Sequence, residues 1–209
     1  MFPGLRFSGT GFYSHPPPQD LGERIFLVNG ILSAVIESIL LSVPTTIYLF
    51  LRRSRQGAGR PAMGMTWGAR SDYVWAAAVV VLLSGVSFFA TRLVPADVLV
   101  SAGSTNRITT LVAGLAVVVR AAGEEMLFRG FLQGVVANRF GRTAGIWVQA
   151  FLFLLPHLAL LLVSPRVWPI LPAQFLTGLA LGWLRSRHES IAPTIAVHAV
   201  ANVIAGFLV

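Results

Sequence analysis

Gly123-Glu124-Glu125-Met126-Leu127-Phe128-Arg129-Gly130 is the stretch on which the reading of this chain turns. It sets two adjacent carboxylates and a guanidinium in a segment otherwise apolar enough for a lipid bilayer. There an ionisable side chain costs about 2.5 kcal/mol or more unless it faces a partner or a water-filled cavity. Such groups mark function by default. Two further costly groups stand in later apolar segments, His157 in Phe153-Leu154-Leu155-Pro156-His157 and His198 in His198-Ala199-Val200-Ala201-Asn202. The three segments are expected to converge on one buried hydrolytic site.

The surroundings of this stretch set the class. The 209 residues are 55% hydrophobic and 11% charged, with a mean hydropathy of +0.73, outside the range of soluble domains. The expectation is an all-α, polytopic membrane helix bundle of about six transmembrane helices with a four-helix catalytic core. The 16 basic residues counted as Lys+Arg are all arginines and, against eight acids, give a net charge of +8. They cluster between apolar runs, which is the pattern of topology control rather than of nucleic-acid binding. With no cysteine, disulfides, thiolate nucleophiles and Cys-ligated metals are excluded.

Three regions follow. Residues 1–24 are polar and turn-rich (Pro3, Gly4, Gly9, Gly11, Pro16-Pro17-Pro18) and do not look like a signal peptide, because the first apolar run is long enough to stay in the membrane. Residues 25–107 hold two accessory spans, about Ile25–Leu51, with Glu37 near its middle and a tilt or kink expected at Pro44, and about Tyr73–Val94. Between these two lies a basic loop, Arg52 to Arg70. Residues 108–209 form the core: about Ile108–Asn138, a tight turn at Arg139-Phe140-Gly141-Arg142, about Thr143–Val163, a Pro-rich break leading to a span that ends near Leu184, a basic loop Arg185-Ser186-Arg187-His188, and about Ile191–Val209. The three arginine-rich connections fall on one side of a six-helix path. Positive-inside bias makes that side cytoplasmic, puts both termini outside and directs the site towards the cytoplasm.

Helical spacing assigns provisional roles. Residues four apart share a face and adjacent ones diverge by about 100°. Glu125 can therefore pair with Arg129 and Arg120 with Glu124, while the two glutamates point in different directions. A carboxylate tied to arginine suits a supporting part, and Glu124 is the one left to face a cleft and act as a base on water. Burial and Arg120 act on its charge in opposite senses. Glu124 lies 15 residues before Arg139 and His157 15 after Arg142, so in a hairpin closed by that turn both sit about 22 Å from it. His198 and Asn202 share one face of the last helix and could hold an oxyanion. Other intramembrane hydrolases are excluded by absence: there is no His-Glu-x-x-His, no Gly-x-Ser-x-Gly, and Asp20, Asp72 and Asp97 are all expected in loops. The purely structural alternative is an intramembrane ion pair with packed histidines.

Taken in order, Glu-Glu-x-x-x-Arg (Glu124, Glu125, Arg129), Phe-x-x-x-His (Phe153, His157) and His-x-x-x-Asn (His198, Asn202) resemble the CAAX-protease and bacteriocin-processing family of intramembrane endopeptidases, also called the abortive-infection or type II CAAX prenyl protease family. The resemblance covers about Ile108 to Val209. It implies that Glu124 with His157 activates water, that His198 and Asn202 form the oxyanion site, and that Glu125 with Arg129 supports them. Arg120 is not part of the pattern. It also implies a membrane-anchored or lipid-modified peptide substrate and, for bacterial members, the inner membrane; some of these serve bacteriocin immunity or sorting-signal maturation. A non-catalytic immunity or scaffold protein and a small proton-coupled transporter are the competing readings. Zinc is the remaining cofactor question: Glu124, His157 and His198 could supply three ligands, but a metal-free glutamic mechanism uses the same residues and also gives Asn202 a part.

Overall fold

The computed structural model describes residues 19–52, 63–101 and 110–208. Most of the expected polar N-terminal segment, the larger part of the first basic loop (53–62) and the connection 102–109 lie outside the described residues. Among the described residues the chain is helical, without strands. The elements are α1 (Gln19–Arg52), α2 (Arg70–Arg92), α3 (Ala96–Ser101), α4 (Leu111–Glu125), a π-helical segment (Met126–Leu132), α5 (Gln133–Phe140), α6 (Arg142–Leu158), α7 (Leu160–Val163), a 3-10 turn (Pro165–Val167), α8 (Ile170–His188) and α9 (Ala192–Leu208).

The surface is inverted relative to a water-soluble protein. Large apolar side chains such as Phe50, Val74, Val81, Leu111 and Leu162 are exposed, while Glu125, Arg129, Gln133, Gln149 and Thr194 are fully buried. That distribution belongs to a bundle solvated by lipid, in which small residues and internal hydrogen bonds replace hydrophobic collapse as the glue between helices. Val28–Leu51, Arg70–Arg92 and Arg142–Val163 are long and apolar enough to cross a bilayer, and Ala192–Phe207 is apolar but shorter. The six-span expectation is therefore met in full by only three helices. The last helix is apolar but falls short in length.

The helices follow one another round the bundle: α1 packs on α4, α4 on α9, α9 on α2, α2 on α8, α8 on α6, and α6 on α5 and the π segment, which returns to α1. Small residues let α1 and α4 approach. A Cβ on Gly123 would stand 2.6 Å from Ser38 Cα, and Ser38 Oγ donates to the Val119 carbonyl at 2.6 Å. Pro44 lies inside α1, which runs through it as one helix. The turn between α5 and α6 is one residue long, Gly141 at φ +89°.

Several boundaries differ from the sequence expectation. The segment Arg185-Ser186-Arg187-His188 is not a loop but the last turn of α8, and the chain reverses at Glu189, φ +53°. Arg185 is buried there because it finds a backbone acceptor inside the bundle. The fourth span stops at Leu158, two residues after Pro156 removes a backbone donor, and resumes as the single turn α7. Ala96–Ser101 forms a short helix after the second span. Asp72 and Asp97 occupy first turns of helices, where a carboxylate meets free N–H groups; Asp72 accepts from Ala69 N at 2.8 Å.

Candidate active site

The Glu-Glu stretch ends α4, and the seven residues after it widen into a π-helix. A π segment shifts the hydrogen-bond ladder from four residues to five and is frequent at functional sites. Two of its carbonyls are taken up by side chains from other helices. Thr45 Oγ1 of α1 donates to Met126 O at 2.7 Å, and Arg185 Nε of α8 donates to Arg129 O at 3.0 Å. Both donors reach across more than 50 residues of chain and fix the segment between Glu125 and Arg129 from opposite sides.

At its centre is a buried ion pair. Arg129 Nη1 donates to Glu125 Oε1 at 2.7 Å with both side chains inaccessible to solvent, the pairing that i,i+4 spacing predicts. The same carboxylate oxygen takes the ring of His198, Nδ1 to Oε1 at 2.7 Å; the buried Thr194 hydroxyl nearby donates to Ile191 O at 2.8 Å. Phe153 forms the floor. Arg129 stacks over it at 4.4 Å, and its ring meets Phe128 edge-on at 5.1 Å, His157 at 4.9 Å and His198 at 5.9 Å. One aromatic side chain of α6 therefore touches the arginine and both histidines.

These contacts define which ring nitrogens carry protons. A carboxylate held by arginine only accepts, so His198 Nδ1 must be the donor to Glu125. Its Nε2 stands 3.7 Å from Glu124 Oε2, beyond hydrogen-bond length. His157 Nδ1 lies 2.8 Å from the Phe153 carbonyl, another acceptor, so His157 also carries its proton on Nδ1 and leaves Nε2 as the reactive nitrogen. His157 is within electrostatic reach of Glu124, His198 and Arg129. Glu124 is partly exposed, in contrast to Glu125. The divergence of adjacent helical residues thus separates an enclosed carboxylate from an accessible one.

Not every expected contact forms. Arg120 does not pair with Glu124; its Nε donates to Glu37 Oε2 of α1 at 2.6 Å, because α1 lies along that side of α4. Asn202 is exposed, one turn beyond His198, and has no side-chain hydrogen bond among the described residues. The contact between His198 and Glu125, and the parts of Thr45, Thr194 and Arg185, were not anticipated. Thr194 had a signal, since Thr194, His198 and Asn202 are spaced four apart on one face of α9. Thr45 and Arg185 had none, because nothing local in the sequence announces a carbonyl that accepts from a side chain on another helix.

Zinc would need a third ligand beside Glu124 and His198. Glu124 and His198 come together, but among the described residues no three His, Asp or Glu side chains are grouped to hold a metal ion, and such a site normally has three protein ligands.

No curated protein and no solved structure matches the chain. A family model described as type II CAAX prenyl endopeptidase, Rce1-like, matches residues 105–204. That segment contains Glu124, Glu125, Arg129, Phe153, His157, His198 and Asn202, the side chains that the three motifs name. Over that segment, just under half of its length, the chain is similar to the Rce1-like type II CAAX prenyl endopeptidases.

Proposed function

We propose that this protein is an intramembrane endopeptidase that hydrolyses a peptide bond of a membrane-anchored or lipid-modified substrate with water activated by Glu124 and His157. The observation that carries the reading is the unequal environment of the two adjacent glutamates. Glu125 is enclosed by Arg129, His198 and Thr194, whereas Glu124 remains accessible beside His198 Nε2. A protein that used the cluster only to pack its helices would have no need of a second, unpaired carboxylate there.

In this mechanism Glu124 takes a proton from water, assisted by His157 Nε2, as the oxygen attacks the scissile carbonyl. Glu124 then delivers that proton to the leaving amine. His198 stabilises the oxyanion. Because Nδ1–H is committed to Glu125, donation from Nε2 requires the imidazolium. Asn202 completes the oxyanion site when substrate is bound. No metal takes part. The arginine-rich connections orient the protein, with the site towards the cytoplasmic side of a bacterial inner membrane and both termini outside.

The test compares the membrane proteome of cells carrying the wild-type chain with that of cells carrying Glu124→Gln. Accumulation of an uncleaved membrane-anchored peptide only in the variant is expected, and identical peptide ends in both would remove the protease reading.

A further inference from the structure

Away from the carboxylate–histidine site, α2 and α8 enclose a cleft of about 360 Å³ lined by Leu82 and Val86 on one side and Leu176, Leu179 and Trp183 on the other. At one end of it Trp75 and Trp183 meet edge-on at 5.6 Å. Arg187 lies over both rings, 4.8 Å from Trp75 and 5.2 Å from Trp183. Arg187 is exposed and has no acidic partner among the described residues. A guanidinium stacked by its face keeps its edge of N–H donors free for a planar or tetrahedral anion.

We infer that this cleft binds one anionic phospholipid, its phosphate at Arg187 and one acyl chain between α2 and α8. Three independent features agree on this occupant. Tryptophan with arginine marks the level of the headgroups. Leu176 lies 11 residues before Arg187, and Val86 11 after Trp75, so the cleft runs about 16 Å inward from that level, close to half the ~30 Å hydrocarbon core and therefore the depth of a single leaflet. The lining below the tryptophans is apolar, and the mouth is cationic, which selects an anionic lipid over a zwitterionic one. The site adjoins the contacts of α2 with α8 and α9, so its occupant would brace the helix that carries Arg185.

The experiment uses the full-length chain purified in dodecyl maltoside and supplied with equal amounts of dioleoyl phosphatidylglycerol and dioleoyl phosphatidylcholine, the retained lipid being counted by native mass spectrometry. Retention of phosphatidylglycerol over phosphatidylcholine by about five-fold is expected, the effect of one arginine beside an anionic headgroup. Arg187→Gln should abolish the preference, and Leu179→Trp, which fills the cleft, should abolish retention of both lipids. The exposed Arg139→Gln serves as control and should change nothing. Unchanged preference in Arg187→Gln, or an equal loss in Arg139→Gln, overturns the assignment, and displacement of the lipid by an equal concentration of free glycerol phosphate would reduce it to a headgroup-only site. Should Leu179→Trp not fold, phosphatidylglycerol with brominated chains must quench the fluorescence of the wild type more than that of Trp183→Phe; equal quenching refutes an acyl chain in the cleft.

Discussion

Arg129→Met removes a charge but keeps most of the side-chain volume, so its effect isolates the buried ion pair from the cavity that an alanine would leave. In the native bundle the Glu125 carboxylate accepts from Arg129 at 2.7 Å and from His198 at 2.7 Å, with no exposure to solvent. Breaking a buried pair by removing one partner costs about 3 to 5 kcal/mol, because the remaining charge is stranded in a low dielectric. Here His198 and Thr194 still face the carboxylate, which places the expectation near 3 kcal/mol. For a chain of this length each kcal/mol moves the unfolding midpoint by about 2 to 4 °C, so a drop of about 6 to 12 °C is expected for the protein in detergent micelles. The double variant Glu125→Gln/Arg129→Met leaves no stranded charge and should recover more than half of that drop, while the free His198 ring loses its orientation and turnover stays low. The assay is thermal unfolding followed by loss of the monodisperse gel-filtration peak. A single variant as stable as the wild type, or a double variant no better than the single one, would refute the argument that Glu125 is held ionised by Arg129.

Glu124→Gln is nearly isosteric and should lower cleavage by about 10²-fold or more with the folded yield unchanged; cleavage at the wild-type rate would disqualify Glu124 as the base. His198→Ala should lose turnover with a smaller thermal penalty than Arg129→Met, and equal penalties for the two would count against a catalytic part for His198. Activity is expected to survive exhaustive chelation, and its loss with recovery on stoichiometric zinc would restore the metal mechanism. Because the chain has no cysteine, a single cysteine at Arg142 tests orientation, and its labelling from outside intact cells would reverse the assigned topology.

What the sequence made legible was whatever depends on spacing within one helix. Glu125 with Arg129, the divergent and partly exposed Glu124, and the shared face of His198 and Asn202 follow from 3.6 residues per turn, whereas the tight turn expected over Arg139–Arg142 narrows to Gly141 alone. What it concealed depends on contacts between helices. Arg120 has two carboxylates within range, one on its own helix and Glu37 on α1, and only the packing of α1 along α4 selects the second. Arg185 reads as a topology signal because most arginines at helix ends are solvated; it is buried because it finds the Arg129 carbonyl as an acceptor inside the bundle. The π segment itself has no local signature, since Met126-Leu127-Phe128-Arg129-Gly130-Phe131-Leu132 reads as the continuation of an α-helix.

The same contacts change the standing of the first helix. Read by motif alone, residues 25–107 are accessory, yet α1 supplies three polar contacts to the helix that bears the glutamates. Ser38 bonds Val119 one turn and more before Glu124, Glu37 holds Arg120 one turn before it, and Thr45 holds Met126 two residues after it. Gly123, immediately before Glu124, is the point of closest approach. In a lipid-solvated bundle, where apolar burial does not drive helices together, such bonds and small-residue contacts are what fix one helix against another. A Cβ at Gly123 would have to displace the α1 backbone at Ser38. All three bonds lie within two turns of that point, so any shift of α1 is transmitted to Glu124, the base of the proposed mechanism, and α1 packs as an outer wall beside the glutamates rather than as an appendage to them.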